Sequence, residues 1–186
     1  FLNEATSRDF LKIANENSPK RIVEHTAVNP NKAAHIGHVR NSVLGDTFVR
    51  ILQANGDHVE VQNYIDNTGV QVADVVVAFI YLEKKTLAEI KQLDADLAAK
   101  NISFDYYCWD LYAKIGQEYI VNEELKAKRA EVLHLIEAGD NETAKLADYV
   151  ATRNVECILK TMERLNIRYD LLPRESEILH LQFWAN

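Results

Sequence analysis

Two histidines three residues apart, His35 and His38, enclose Gly37 in the tetrapeptide "HIGH". The run before them, "RIVEHTAV", is short and rich in β-branched residues, and the run after them repeats apolar residues at helical spacing. The pair therefore lies where a buried strand gives way to a helix. Two imidazoles at such a point can donate hydrogen bonds to phosphate oxygens as negative charge develops in a transition state, without acting as nucleophiles.

The start of the predicted helix adds to this anion-binding character. Its unpaired N–H groups and about half a unit of positive charge favour phosphate. Helical side chains lean toward the helix start, so His38 is expected to point toward the loop, on the same side as His35. Gly37 has no side chain, and a flat adenine ring could approach the backbone there. Together these features predict an ATP site in which the α-phosphate is attacked.

The elements that must position these residues form a β-α-β unit. A strand is predicted over residues 21–28, where Asn29-Pro30 ends it. The helix runs over residues 38–54 and ends at Asn55-Gly56, and a second strand follows over residues 58–65. The two strands should be parallel, and ligands bind beyond the carboxyl ends of such strands. The histidines lie at that edge.

The remainder of the chain is predicted to be mostly helical. A short helix is expected over residues 1–19, and "DNTG" (66–69) can cap an apolar helix after the second strand. Charged and aromatic-rich helices then continue to about Leu165, where a return strand over 167–172 and a last helix after Pro173 follow. We therefore predict an α/β, Rossmann-like fold with a helical insertion. The expected regions are 1–82 (first nucleotide-binding part), 83–165 (insertion) and 166–186 (return to the first part).

Composition narrows the functional classes. The 186 residues carry a net charge of -7, whereas a chain that binds nucleic acid non-specifically is usually basic. The N-terminus does not look like a secretory signal, and no apolar run is long enough to span a bilayer. Cys108 and Cys157 lie far apart and form no CxxC pair. A reduced, cytoplasmic setting without membrane association fits best.

A zinc site is the alternative chemistry for the histidine pair, since two histidines can supply half of its ligands. The further candidates are His25, Cys108, His134 and Cys157, which are scattered along the chain without ligand spacing. We therefore predict no metal ligated by these residues.

Two longer segments carry a resemblance to a known family. The segments "NPNKAAHIGHVRNSVLGD" and "VQNYIDNTGVQVADVV" are similar to those of arginyl-tRNA synthetases, which are class I aminoacyl-tRNA synthetases. "FDYYCWDLYAKI" and "RYDLLPRESEILHLQFWA" extend the likeness to nearly the whole chain. The resemblance implies the first half of a Rossmann-like class I catalytic domain, with its insertion.

The resemblance also implies roles for individual residues. His35, Gly37 and His38 match the motif that binds ATP and stabilises the adenylation transition state, and Glu24 and Asn29 match positions that contact the arginine substrate. A carboxylate such as Glu24 suits a guanidinium or α-amino group. From the residues alone, Glu24 could equally be a surface carboxylate, and Asn29 could simply end the strand.

A lysine and three cleft positions complete the implied site. Nothing like the second class I signature, KMSKS, occurs in the chain, and some arginyl enzymes that lack its key lysine have one just before HIGH. Lys32 could supply that charge, or it could be a solvated lysine. A final group matches a segment that lines the catalytic cleft, although capping and turn formation would also explain it: Asp66, Gly69 and Gln71.

The resemblance finally implies an activity and its partners. It indicates part of an arginine–tRNA ligase that uses ATP with Mg²⁺, L-arginine and tRNA(Arg), incomplete as an isolated fragment and monomeric as a full-length protein. Two alternatives remain open. One is a small-metabolite nucleotidyltransferase, a class that uses HxGH at the same turn, and the other is a non-catalytic RNA-binding fragment.

Overall fold

Two parallel strands form the sheet that the sequence predicts. The computed structural model describes residues 19–180, so the helix expected over 1–19 lies almost wholly outside the described residues. Strand β1 (Arg21–Glu24) pairs with β2 (Val59–Gln62), and helix α1 (Ile36–Ala54) connects them. The β-α-β unit with parallel strands is thereby confirmed.

Strand β1 is shorter than expected, because the backbone turns sharply after Glu24. Thr26 and Ala27 both have positive φ angles, 78° and 53°. That region is rare for a β-branched residue such as Thr26. The Thr26 hydroxyl lies 2.7 Å from the Tyr169 hydroxyl, which helps to hold the turn. Parallel pairing resumes only as a single bridge between Val28 and Ile65, so the predicted strands over 21–28 and 58–65 are each interrupted.

The predicted return strand over 167–172 is likewise reduced to single bridges. Leu171 and Arg174 each pair with one residue on the β2 side of the sheet. The Asp170 carboxylate takes the place of a backbone acceptor, since it receives the N–H of Val61 at 2.8 Å. Pro173 has no N–H to donate to a ladder. Helix α7 (Glu175–His180) follows, as the sequence predicts.

Helix α1 ends as expected but leaves much of its apolar surface in solvent. Gly56 provides the left-handed stop with φ 87°. Leu44, Phe48 and Ile51 are 61%, 61% and 60% exposed, and Ile22 of β1 is 60% exposed. These four residues are called the α1 apolar face here. Exposed apolar patches of this kind favour contact with another protein surface, and a second copy of the chain is one such surface.

Replacing Phe48 by glutamate is expected to reduce self-association of the chain without unfolding it. The side chain is already exposed, so the free energy of unfolding should change by less than about 0.5 kcal/mol. Light scattering over a concentration series and thermal unfolding would measure both effects. Val49→Glu is the matched control, because Val49 on the same helix is 4% exposed and should not tolerate a charge. A large loss of stability in Phe48→Glu would contradict the prediction.

A helical layer packs beside the sheet around one buried helix. Helix α2 (Val70–Val77) continues into a π-helical segment (Ala78–Leu82), and its residues from Val72 to Phe79 are fully or almost fully buried. It contacts three of the four helices that follow. Those four helices are α3 (Leu87–Ala99), α4 (Phe104–Val121), α5 (Glu123–Ala138) and α6 (Glu142–Arg164).

Helix α6 joins this layer to the sheet. Leu146 and Val150 in its first half pack into the core of the helical layer. Ile158 and Met162 in its second half pack into a separate core that includes Ile65. The long helix predicted to end near Leu165 is therefore confirmed, and it fixes the helical layer relative to the strands. The boundaries between the three expected regions stay predictions.

Ion pairs fix the helices further. Asp74 on α2 is buried and accepts hydrogen bonds at 2.7 and 3.0 Å from Arg129 on α5. Asp94 on α3 is paired with Arg153 on α6 in the same bidentate manner. Among the helices within residues 19–180, none has the length and apolar character needed to cross a membrane.

Candidate active site

The two predicted histidines are brought together at the start of α1. His35 is the N-cap residue, and its Nδ1 accepts the N–H of Gly37 at 3.1 Å. The N–H of His35 in turn donates to Nδ1 of His38 at 3.2 Å. The two rings stack with their centroids 4.0 Å apart and their planes at 23°. The pair therefore caps the helix and packs as one unit.

These hydrogen bonds decide which nitrogen carries the proton. A ring nitrogen that accepts an N–H cannot itself be protonated, so the proton of each neutral ring lies on Nε2. Burial, followed by the charges of His35 and Lys32, lowers the pKa of His38 to about 4. His38 is thus a neutral imidazole at physiological pH. It offers an Nε2–H donor that is already oriented by the helix cap.

Gly37 lies directly against the His35 ring. A Cβ atom at this position would lie 2.9 Å from Cε1 of His35, closer than such atoms approach in practice. The missing side chain therefore lets the His35 ring fold back over the first turn of the helix. Its predicted second role, close approach of an adenine ring, stays a prediction.

Lys32 lies against aromatic rings of helix α4. Its Nζ is 4.5 Å from the ring centroid of Tyr112 and 5.9 Å from that of Trp109. Burial lowers the pKa of Lys32, and the charge of Lys32 contributes to the lowered pKa of His38. The structure thus places Lys32 beside the histidine pair and half-buried, unlike a solvated lysine. The segment "FDYYCWDLYAKI" contains both aromatic residues, but its pattern indicated only a helix.

Glu24 and Asn29 lie on either side of the turn after β1. Glu24 ends the strand and borders a cavity of about 390 Å³, whose other wall includes Asn41 and Gly45 of α1. Asn41 lies one turn beyond His38, so the cavity and the histidines share the first part of this helix. Asn29 is half-buried, and its carbonyl accepts the N–H of Asn31 at 2.9 Å. Glu24 therefore lines a cavity along α1, and contact of Glu24 and Asn29 with arginine stays a prediction.

Asp66 and Gly69 shape the start of α2. Gly69 is the N-cap, and a Cβ on it would lie 2.4 Å from Oδ1 of Asp66. The Gly69 backbone acts to lower the pKa of the Asp66 carboxyl, against the larger effects that raise it. Gln71 is exposed in the first turn. Gly69 is therefore the cap residue, without a side-chain hydrogen bond at the helix start, and a place in the cleft for Asp66, Gly69 and Gln71 stays a prediction.

Asp66 also has an acidic partner that the sequence pattern did not indicate. Burial, then its hydrogen bond with Glu175 and the charge of Glu175, raises the pKa of Asp66 to about 6. The Thr68 hydroxyl donates to Glu175 Oε2. Glu175 lies two residues after Pro173, at the end of the return segment, which pairs in parallel with the β2 side of the sheet. Its position at the carboxyl edge of a third parallel segment was the sequence signal that could have placed it near Asp66. Two carboxyl groups at one edge can bind a cation once both are ionised.

Asp66→Asn is expected to make the protein more stable at pH 8 by about 1 kcal/mol, after allowance for solvent screening. The pKa of Asp66 is about 6 in the folded state against an ordinary value of 3.8, so between these values the native state binds more protons than the unfolded state. Its stabilising contribution is therefore present below pH 3.8 and is lost as the pH rises through about 6. Asparagine removes this loss and has nearly the same size and shape as aspartate.

Urea unfolding at a series of pH values would measure the change, with Asp110→Asn as a control at an exposed carboxylate. A variant that is less stable than the parent at pH 8 would contradict the assigned pKa of Asp66.

Metal ligation by the protein alone finds no support within residues 19–180. They contain no group of three or more His, Cys, Asp or Glu side chains placed to hold a metal ion. Cys108 and Cys157 are both buried as free thiols. Mg²⁺ that accompanies a nucleotide needs no such group, since it is held largely by phosphates and waters.

Comparison with known proteins gives the family. The family model described as "tRNA synthetases class I (R), catalytic domain" matches residues 2–179 of this chain. The chain belongs to this family. The match includes both histidines, Lys32 and all of the helical layer.

Individual relatives agree with the class I (R) synthetase assignment. The chain is 40% identical to the arginine–tRNA ligase of Thermococcus kodakarensis over 96% of its own length and 29% of the relative's. It is 39% identical to that of Thermococcus sibiricus over 86% of its own length and 25% of the relative's. The solved arginyl-tRNA synthetase of Thermus thermophilus superposes with a TM-score of 0.69 at 36% identity, over 86% of this chain and 24% of that one. The chain thus spans about a quarter of the length of these relatives, and the predicted α/β, class I synthetase fold is confirmed.

Proposed function

We propose that the chain forms part of the catalytic domain of an arginine–tRNA ligase. The observation that carries the proposal is the stacked His35–His38 pair, with Nδ1 atoms used in the helix cap and Nε2–H groups left as donors. The names of the relatives support arginine as the amino acid.

The first reaction is the activation of arginine. An oxygen of the arginine carboxylate attacks the α-phosphate of ATP, the bond to the β-phosphate oxygen breaks, and pyrophosphate leaves with that oxygen. The product is arginyl-adenylate. Negative charge builds on the α-phosphate oxygens during the attack, and the Nε2–H groups of His35 and His38 can stabilise it together with the N-terminus of α1. No side chain of the protein needs to form a covalent bond.

Lys32 is proposed to neutralise the phosphates of the nucleotide. Its ammonium lies near enough to affect the pKa of His38, so its charge acts at the same place as the histidines. Mg²⁺ bound with ATP would add charge through the phosphates, and Gly37 would border the adenine. Placement and charge stabilisation then provide the catalysis.

The arginine substrate needs anionic and polar partners. Glu24 and Asn29 are proposed to contact it, because they flank the turn between β1 and the loop before α1. Asp66, Gly69 and Gln71 are proposed to line the same cleft. The Asp66 carboxyl, which is ionised above about pH 6, lies beside that of Glu175 and offers a further anionic site for a cationic substrate.

The second reaction transfers the arginyl group to tRNA(Arg). The 2′-hydroxyl of the terminal adenosine attacks the arginyl carbonyl carbon, and AMP leaves. We expect this step to require the rest of the protein, since the chain spans about a quarter of its relatives' length. We further propose a cytoplasmic, monomeric full-length protein. Within this chain, the proposed regions are 1–82 (first nucleotide-binding part), 83–165 (insertion) and 166–186 (return to the first part).

Arginine-dependent ATP–pyrophosphate exchange by the full-length gene product tests the proposal. A panel of amino acids is tested, each with and without tRNA. Arginine should support exchange, and no other amino acid should. Exchange that is driven by another small molecule would favour a nucleotidyltransferase instead. RNA binding with no dependence on ATP would favour a non-catalytic role.

A further inference from the structure

We propose that Trp109 and Tyr112 of helix α4 are positioning residues that hold the ammonium of Lys32 beside the His35–His38 pair. These two residues are called the aromatic clamp here. The inference rests on the proposed function, because it concerns how the proposed phosphate-neutralising charge is placed.

The two clamp residues lie one turn apart on the same face of α4, and both rings are near the lysine. The Nζ atom lies 4.5 Å from the Tyr112 ring centroid and 5.9 Å from the Trp109 ring centroid. An ammonium within about 6 Å of a ring face is attracted by the quadrupole of the ring, more strongly when it is partly desolvated. A lysine side chain on a loop otherwise samples many rotamers. The clamp therefore reduces the freedom of Lys32 while keeping its charge.

Trp109 connects the lysine to the histidines. Its ring meets the His35 ring edge-on, with the centroids 6.3 Å apart and the planes at 81°. His35 in turn stacks on His38. The Trp109 indole thus contacts both Lys32 and His35. The position of the lysine ammonium relative to the imidazole therefore depends on this ring.

The clamp is mounted on a rigid support. The neighbouring residues of α4, Cys108 and Leu111, are buried in the core of the helical layer, and Tyr112 packs against the same core. The first turn of α4 is also tied to the lysine loop, since the N–H of Ala33 donates to the carbonyl of Asp105 at 3.1 Å. Supporting groups that are themselves fixed by packing can hold a reacting group in its productive geometry.

The consequence is that the helical layer controls the position of the Lys32 ammonium at the proposed ATP site. A displacement of α4 would move Lys32 relative to the histidine pair. Removal of either ring should leave the fold in place but release the ammonium into solvent. The expected loss in kcat/KM for ATP is about tenfold, the upper part of the range for a partly desolvated cation–π contact.

The test uses six variants of the full-length gene product: five single variants and one double variant. Tyr112→Leu and Trp109→Leu each remove one aromatic ring. Tyr112→Phe keeps the aromatic ring at position 112 and removes only the hydroxyl. Tyr106→Leu is the matched control, because Tyr106 is an exposed aromatic residue on the same helix. Tyr112→Leu is also made in a Lys32→Met background. Arginine-dependent exchange gives kcat and KM, and the proton–carbon NMR spectrum of ε-¹³C-lysine gives a signature that needs no substrate.

The NMR signature follows from ring currents. The Lys32 ε-protons, assigned by their disappearance in Lys32→Met, should be shifted upfield in the parent protein and in Tyr112→Phe. The shift should be reduced in Tyr112→Leu and in Trp109→Leu. Tyr106→Leu should leave both the shift and the exchange rate unchanged.

The double variant separates positioning from mere support of the fold. If Tyr112 acts through Lys32, Tyr112→Leu should lower exchange about tenfold in the parent and hardly at all in the Lys32→Met background. An equal loss in both backgrounds would overturn the proposal, as would the absence of an upfield shift in the parent. A parent protein with the shift but without arginine-dependent exchange would overturn the proposed function, and the clamp would then stand on the NMR signature.

Discussion

His38→Asn is expected to lower arginine-dependent ATP–pyrophosphate exchange by about 100-fold to 1,000-fold, the range for loss of one oriented donor to a developing oxyanion. Asparagine can still accept the N–H of His35, as Nδ1 of the imidazole does at 3.2 Å. It cannot reach the position of the Nε2–H group. The helix cap is therefore kept while the proposed donor to the α-phosphate is removed, and the loss should appear mainly in kcat. Initial rates at saturating ATP would measure it.

Two further variants control this experiment. His38→Gln places an N–H near the position of Nε2 and should recover part of the rate. His134→Asn changes a histidine whose side chain is 81% exposed on α5 and should leave the rate unchanged. Equal losses in the asparagine and glutamine variants, accompanied by a lowered melting temperature, would assign His38 to the helix cap alone.

Lys32→Met is expected to lower kcat/KM for ATP by about 100-fold, because one cation that faces the transferring phosphate is lost. Methionine keeps the length and apolar stem of the side chain, so its contact with the rings of Tyr112 and Trp109 should persist. The fold should therefore be unaffected. Steady-state exchange as a function of ATP concentration would measure the change.

Lys32→Arg keeps a positive charge that can stack on the same rings and should retain more activity than Lys32→Met. Lys145→Met is the matched control for a solvated lysine, since Lys145 lies on the surface of α6, where it pairs with Glu142. An activity of Lys32→Met close to that of the parent would show that another group neutralises the phosphates. The clamp would then have no catalytic purpose.

The local elements of the fold could be predicted from the sequence because their signals are local. The alternation in "VEVQ" gave β2, the helical spacing after His38 gave α1, and Asn55-Gly56 gave its end. The apolar run that starts at Val70 gave the buried helix α2. Each of these patterns involves residues within one or two turns of each other, where hydrogen bonding and side-chain periodicity decide the conformation.

The strands predicted over 21–28 and 58–65 were longer than the strands observed, and the local sequence pattern does not show why. The left-handed turn at Thr26 and Ala27 is supported by the hydroxyl of Tyr169, which lies in another part of the chain. The return strand was interrupted because the Asp170 carboxylate receives the N–H of Val61. The length of a strand depends on which groups accept the hydrogen bonds of its backbone N–H groups. The tertiary structure determines which groups lie close enough to do so.

The candidate site likewise has one part that the sequence predicts and another part that only the tertiary structure brings together. The residue types and spacing of His35, Gly37 and His38 predicted a phosphate-binding turn at the carboxyl edge of parallel strands, and strand, turn and helix start could be located because they are contiguous in the chain. Only the tertiary structure placed the rings of Trp109 and Tyr112 on Lys32 and set Glu175 beside Asp66. These contacts join residues far apart in sequence, so they arise only when the packing of helix against sheet brings their backbones together. Burial and neighbouring charges then shift the pKa values of the side chains concerned.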